Sequence, residues 1–410
     1  MSTIAGVNKK PKILTVLGGG SVWTPYLLLR LAEIPEAEFL RIRLHGPTLA
    51  HLQEVRDFTR IAVGERLDVA VRTGLDEAVA GAEIILNQAR IGGWKARLDD
   101  ETLPVKLGVV GDESLGLGGL RAAIRTWPFI AQTARTISRL APKALILNLT
   151  NPSDLMTRAW RQSGCKQAVS LCEYPQRFFQ EIAALAADPD LACQSGFLGM
   201  IHVGWLIPPT GVRLHEVLTK RPHLASWFQK WKALPTDWRI HLDNASSLLA
   251  GQRKNPGGRA RQLMKLVKLL RKAFRAGDVE LYRALLMQRP LEWYSISVIP
   301  MIRALLGGRP TRLIVGLPNA GRLQGLDSEV LLENWAAVDG YGIRPEPLPS
   351  NPECEHDVVA FGKCRALAFE AMRAPDRCRL ASYLRADDFT RQASLQPDWL
   401  EKQGKRMRFQ

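Results

Sequence analysis

The chain has 410 residues, enough for two or three domains, with 46% apolar and 23% charged side chains. No run approaches the ~18 apolar residues of a membrane span, and the start MSTIAGVNKKPK lacks the apolar core of a secretory signal, so a cytoplasmic protein is expected. The net charge of +16 invites a polyanion-binding reading, while six scattered cysteines (165, 172, 193, 354, 364 and 378) argue against a disulfide framework or a four-cysteine zinc site.

In chain order, the pattern predicts a strand over Lys12–Leu17, then a helix over Thr24–Ala32 with Pro25 suited to its first turn. A strand at Arg41–Leu44, a helix through Val63, and strands at Asp68–Arg72 and Glu83–Gln88 follow. Ile124–Leu140 reads as a long helix and Ala144–Asn148 as a fifth strand. Strands separated by helices imply right-handed crossovers and a doubly wound parallel sheet of the Rossmann type. Beyond Asn151 come a helix at Ser153–Gln162, a strand at Ala168–Leu171 and a helix at Phe178–Ala187. Phe197–Trp205 and Gly211–Val217 read as strands, and Leu224–Arg309 as mostly helical. Leu313–Gly316 is a further strand, and a helix at Cys354–Arg373 precedes an irregular basic tail. The expected division is a dinucleotide-binding domain over residues 10–165, an α+β domain over 166–375, and a basic tail over 376–410.

Within the helical stretch, Gln252–Gly277 carries nine Lys and Arg residues, with Leu263, Leu266, Val267, Leu270 and Phe274 at helical spacing. It reads as an amphipathic helix with a solvated basic face, so nucleic acid is not an expected partner.

Gly18-Gly19-Gly20-Ser21 follows the first strand and precedes Thr24-Pro25 and the first helix. Glycines let a backbone turn sharply and approach a pyrophosphate, and the free N–H groups of a helix N-terminus then face it. Gly18, Gly20, Ser21 and Thr24 are therefore candidate cofactor-binding residues. The second strand ends Leu44-His45-Gly46, with no acid for the ribose hydroxyls; Arg41 and Arg43 leave a 2′-phosphate open.

Three more motifs follow: Arg90-Ile91-Gly92-Gly93 with Arg97 beyond, the glycine-rich loop Gly108–Gly119 with Glu113 at its acid, and Asn148-Leu149-Thr150-Asn151-Pro152. With the first loop, they resemble the family 4 glycoside hydrolases over roughly Lys12 to Asn334. The resemblance implies a Rossmann domain fused to an α+β domain of the lactate dehydrogenase type. It also implies cleavage of 6-phosphoglucosides or uronides with NAD and a divalent metal, usually manganese, and homodimers or homotetramers. In that family a cysteine and a histidine hold the metal. The counterparts are Cys172, in Leu171-Cys172-Glu173-Tyr174-Pro175, and His202, in Gly199-Met200-Ile201-His202, with Glu173 as a further possible carboxylate ligand. Thiolate and imidazole suit a first-row divalent ion, and two protein ligands leave positions for substrate oxygens.

By the same resemblance, Arg90 and Asn148 face the cofactor, while Arg90, Asn151 and Asn319 face the sugar. The implied route is redox: hydride leaves sugar carbon 3, a base takes the carbon 2 proton, the leaving group departs, water adds and the hydride returns. The family's base tyrosine aligns with Trp293, which cannot accept a proton. Three readings stay open there: Tyr294 is re-aimed, Glu292 substitutes, or the step is lost. Tyr294 and Glu113 are the catalytic candidates. A hydroxy-acid dehydrogenase and a non-catalytic sugar- or nucleotide-binding relative remain the alternatives.

Overall fold

The computed structural model describes residues 11–391 except 189, 210, 212, 213 and 290, together with residue 395. Twelve strands form one sheet: β1 (Lys12–Leu17), β2 (Leu40–His45), β3 (Asp68–Arg72), β4 (Ile84–Asn87), β5 (Leu145–Asn148), β6 (Ala168–Ser170), β7 (Gly196–Met200), β8 (Val203–Ile207), β9 (Leu234–Pro235), β10 (Thr311–Pro318), β11 (Leu331–Asp339) and β12 (Gly342–Pro345). Their order is β3-β2-β1-β4-β5-β6-β10-β11-β7-β8-β9, with β12 on β11.

The first six strands are parallel, in the doubly wound order. β1 and β4 carry buried runs such as Leu14, Val16 and Leu17, and Ile84–Leu86, because helices cover both faces. From β10 onward the pairings are antiparallel. The α/β class therefore holds, with a parallel Rossmann half and a mixed half sharing a single sheet.

Some boundaries differ from expectation. Phe197–Trp205 is not one strand but parts of β7 and β8, joined by a two-residue turn at Ile201–His202. Gly211–Val217 is not a strand: helix His215–Lys220 covers its last residues, and residues 212 and 213 lie outside the description. Within the basic tail, Arg377–Ala386 is a helix with buried Leu380, Tyr383 and Leu384; the rest of 392–410, apart from residue 395, lies outside the described residues. The segment after Gly93 is a helix to Lys106, and the long helix starts at Gly116. Among the described residues, no helix is long and apolar enough to cross a membrane.

A buried ion pair ties helices of the two halves together. Arg365, on helix Pro352–Arg373, donates twice to Asp154, on helix Ser153–Gln162, at 2.7 and 2.9 Å. Both side chains are almost fully buried. Removing one partner strands the other charge in the interior, so Arg365→Met should cost about 3–5 kcal/mol in urea unfolding. The double change Asp154→Leu with Arg365→Met should recover most of that loss; a single-variant cost below about 1 kcal/mol would show that the pair is dispensable.

Candidate active-site cavity

A cavity of about 1450 Å³ opens at the carboxyl ends of the parallel strands. It exceeds the ~300–1,000 Å³ of an ordinary small-ligand site. Its wall takes in the ends of five strands: Gly18 and Gly20–Trp23 after β1, Gly46–Thr48 after β2, Gln88–Arg90 after β4, Leu149–Asn151 after β5 and Leu171–Glu173 after β6. The crevice where crossovers diverge to either side of such a sheet is where its ligands bind.

The glycine loop is held by the neighbouring strands. Gly18 and Gly19 both donate to the His45 carbonyl at the tip of β2, at 3.0 and 2.8 Å. Gly18 has φ +84°, and a Cβ there would lie 2.9 Å from the Ala89 Cα. A Cβ on Gly19 would lie 2.8 Å from the Leu44 Cβ. Gly18, Gly20 and Ser21 border the cavity. Thr24 is a correction: its hydroxyl sits behind the loop, accepting from Gln88 Nε2 at 2.8 Å, and it does not reach the cavity wall.

The tip of β2 presents Gly46, Pro47 and Thr48 to the cavity, beside His51 and Arg271. Arg43 is turned away, donating to the carbonyls of Glu77, Ala78 and Ala80. Arg41 is exposed beside Asp68.

The Arg-x-Gly-Gly segment and the Gly108–Gly119 loop meet in a charged network. Glu113 accepts from Arg90 at 2.6 Å and from Arg97 at 2.7 Å, and Arg97 also bonds Glu101 at 2.8 Å. The two guanidinium groups hold the Glu113 carboxyl far below the usual carboxylate range against the opposing effect of burial. Glu113, a catalytic candidate from the sequence, is engaged by both Arg90 and Arg97 and favours its anionic form. Neighbouring Asp112 caps Ser114 and Leu115, and burial pushes it up to about 6.

The segment Gln252–Gly277 closes one side of this cavity. Gln252 forms a double hydrogen bond with the Gly111 backbone at 2.8 Å, and Glu101 accepts from the Ala260 N–H at 3.0 Å. Helix Gly258–Ala276 buries Leu263, Leu266, Leu270 and Phe274, as its spacing predicts. Its basic face is not all solvated, because Arg259 and Arg271 border the cavity.

At the other end lie Cys172 and His202. Cys172 caps helix Glu173–Ala186, its sulfur accepting from the Tyr174 N–H at 3.4 Å. His202 sits in the β7–β8 turn with φ +68°, and Ile201 beside it has φ +35°. A β-branched residue at positive φ costs roughly 1–3 kcal/mol and persists only where the surroundings impose it. The imidazole lies 5.6 Å from the Tyr174 ring and 5.9 Å from that of Trp238, and both Cys172 and His202 border the cavity. His202 Nδ1 is buried with no hydrogen-bond partner among the described residues. Burial lowers this imidazole to about 4, which keeps it neutral and able to act as a ligand. Burial, Glu173 and Glu333 push the Cys172 thiol up. Glu173 borders the cavity and is raised, chiefly by burial. Among the described residues, no group of three or more His, Cys, Asp and Glu stands ready for a metal, so substrate oxygens would have to complete a two-residue site.

Two expected contacts are internal instead. The Asn148 amide bonds Asn87 at 2.8 Å, the Thr150 carbonyl at 3.1 Å and the Ser153 carbonyl at 3.2 Å, and it does not border the cavity. Asn319 is fully buried in its own turn, donating to the Leu323 and Leu326 carbonyls and accepting from the Leu323 N–H. Both side chains are engaged in internal hydrogen bonds and neither borders the cavity. Asn151 does reach the cavity.

Trp293 and Tyr294 both border the cavity, in a π-helical turn at Trp293–Val298. Such turns insert a residue into a helix and recur at functional sites. The Tyr294 hydroxyl donates to Gln88 Oε1, and Gln88 Nε2 in turn reaches Thr24 and the Gly18 carbonyl. Burial raises the phenol well above its ordinary range. In this arrangement the phenol keeps its proton and is linked through Gln88 to the glycine loop. Glu292 pairs with Arg177 at 3.7 Å and does not border the cavity. Arg289, which opens the segment that aligns with the family's base tyrosine, also borders the cavity, its guanidinium carbon over the Trp23 and Trp293 rings.

Glu113 supplies a test in acid. Its folded-state value lies below its unfolded value near 4.5. Its contribution is therefore complete above that unfolded value and is lost as pH falls toward the folded one. Glu113→Gln should lower stability at neutral pH and should lose less than the wild type between about pH 5 and pH 2. Parallel pH curves in urea unfolding would contradict this.

Comparisons with known proteins agree with this geometry. The family described as family 4 glycosyl hydrolase matches residues 12–187, and the family 4 glycosyl hydrolase C-terminal domain matches residues 210–390. A 6-phospho-beta-glucosidase of Escherichia coli is 24% identical over 371 residues, covering 83% of this chain and 82% of that protein. The 6-phospho-beta-glucosidase BglT of Thermotoga maritima is 27% identical over 339 residues, covering 78% and 80%. A structure of the T. maritima 6-phospho-beta glucosidase with NAD and glucose-6-phosphate superposes with a TM-score of 0.83 at 22% identity, covering 96% of this chain and 98% of that one. A structure from the same organism with manganese, NAD+ and glucose-6-phosphate gives 0.79 at 22% identity, covering 96% of each. Two matching regions, one on each side of the cavity and together spanning most of the chain, make this protein a member of family 4 of the glycosyl hydrolases.

Proposed function

We propose that this family 4 glycosyl hydrolase cleaves a glycoside bearing an anionic group, a 6-phosphoglucoside by preference, with NAD and a divalent metal, manganese. The observation that carries the reading is one cavity bordered at once by the glycine loop and by Cys172 and His202. The T. maritima relative that binds NAD, manganese and glucose-6-phosphate supports it.

The residues fit both groups. Gly18, Gly20 and Ser21, with the start of helix Thr24–Leu31 behind them, suit a pyrophosphate. The unpartnered His202 Nδ1 and the Cys172 thiol suit a soft-to-borderline divalent ion, which would favour the thiolate that burial now opposes. When bound, the dinucleotide supplies reversible oxidation of a sugar carbon, and the metal supplies Lewis-acid polarisation of neighbouring oxygens. Arg90 offers an anion or hydroxyl donor whose direction Glu113 fixes. Asn151 borders the cavity as a hydroxyl partner, while the Thr150 hydroxyl is held by Asn87 and the Ala89 carbonyl. Tyr294 keeps its proton on Oη and, through Gln88, holds the glycine loop.

A second reading has a specific observation behind it. Trp293 borders the cavity at the family's base position, and Tyr294 is tied to Gln88. These favour a relative that binds cofactor and sugar without turnover.

One assay separates them. The protein is incubated with NAD+, Mn2+, a thiol reductant and a chromogenic 6-phosphoglucoside. The enzyme reading expects release of the chromophore, and Cys172→Ser should reduce it more than about 100-fold. Mn2+ should also raise the melting temperature of the wild type but not of Cys172→Ser. Retained NAD binding without turnover on phosphorylated or uronide substrates would favour the binding protein. Tyr294→Phe should weaken NAD binding at least about threefold without moving the pH profile of turnover, since the phenol orients the loop through Gln88.

A further inference from the structure

The Arg289 guanidinium is enclosed in an unusual way. Its central carbon lies 4.8 Å from the Trp23 ring and 4.8 Å from the Trp293 ring. The two indoles come from distant parts of the chain, one beside the glycine loop and one in the π-helical turn. Arg289, Trp23 and Trp293 all border the cavity.

A ring placed over a guanidinium leaves the N–H groups, which point outward in the guanidinium plane, able to bond elsewhere. Arg289 Nη1 is buried with no partner among the described residues, and no carboxylate there pairs with this side chain. Glu113 acts on it only at a distance, being held by Arg90 and Arg97. Burial, Arg97, Arg259 and Arg90 push Arg289 down to about 9, so the surroundings penalise the charge they enclose. Aromatic faces offset part of that penalty, and an anion in the guanidinium plane would offset the rest.

We propose that Arg289, clamped between Trp23 and Trp293, is an anion-binding residue that takes the oxygens of a phosphate or carboxylate entering the cavity. Trp293, unable to accept a proton, builds the anion clamp instead. The phosphate has two possible sources: the sugar substrate or the pyrophosphate of the dinucleotide, since Trp23 adjoins the glycine loop. The clamp rests on the proposed function only for the choice between these sources.

Calorimetric titration of the full chain tests it, with inorganic phosphate, glucose-6-phosphate and NAD+ as separate probes. Arg289→Gln should raise the Kd of phosphate, and of whichever larger ligand seats its phosphate there, at least about tenfold. Loss confined to glucose-6-phosphate assigns the clamp to the sugar, and loss confined to NAD+ assigns it to the cofactor. Arg289→Lys keeps the charge but not the planar fork, and should lose at least about fivefold. It decides the question if Arg289→Gln does not fold. Trp293→Leu uncovers one face and should weaken the same probe, less than Arg289→Gln does. Unchanged affinity for all three probes in a variant with wild-type melting temperature would overturn the clamp. Because the readout is binding, a protein that hydrolyses nothing still decides it. A failed clamp leaves the Cys172 assay to judge the glycosidase reading.

Discussion

The active-site cavity depends on a close approach of backbone to backbone. At the end of β1 the chain turns between the tips of β2 and β4, and there is no room for a side chain there. A Cβ on Gly18 would meet the Ala89 backbone, and one on Gly19 would meet Leu44. The His45 carbonyl pins both residues from the other side. This packing aims Ser21 and the following helix start at the cavity, and Gln88 links the loop to Tyr294 on a distant segment. Two glycines, Gly18 and Gly19, therefore shape this end of the cavity, and Gln88 ties them to the π-helical turn.

Charge organises the rest. Arg90, Arg97, Arg259, Arg271 and Arg289 all border the cavity, with Glu101, Asp112, Glu113 and Glu173 as the bordering carboxyl groups. Glu113 and Glu101 are occupied in holding Arg97 and anchoring the basic helix. The arginines are thus arranged before any ligand arrives. Part of the chain's excess positive charge, including two residues of a helix whose sequence suggests only a solvated face, faces this cavity. At the far end the environment changes to a buried thiol, a neutral imidazole and carboxyls raised by burial, among them Glu333, pushed up to about 8. A divalent cation is the complement of that end, and an anion is the complement of the arginine end.

Much of this is legible in the sequence because it is local. A strand, a glycine loop and a helix with Pro25 in its first turn read the same in one dimension as in three, and the first strand occupies Lys12–Leu17 as its pattern predicts. Cys172 and His202 follow strand ends recognisable by their apolar runs. Other features need tertiary information. The β7–β8 turn carries Ile201 and His202 at positive φ, where turn chemistry calls for Asn or Gly, so the run reads as one strand. β11 interrupts its apolar pattern with Glu333 and Asn334, both buried, and its sequence does not read as a strand. Asn148 and Asn319 have the chemistry of sugar-binding residues, but only the fold reveals that their amides serve neighbouring backbone. The Arg289 site brings Trp23 to Arg289 and Trp293, a long-range approach that local spacing does not encode.

The central claim is that a cofactor end and a metal end share one cavity. The most direct measurement is anomalous scattering at the manganese edge from crystals grown with Mn2+ and NAD+. The account predicts one strong peak within coordinating distance of both Cys172 Sγ and the His202 imidazole, with the dinucleotide's pyrophosphate density over Gly18–Ser21. A peak elsewhere, or dinucleotide density that leaves the glycine loop empty, would contradict it.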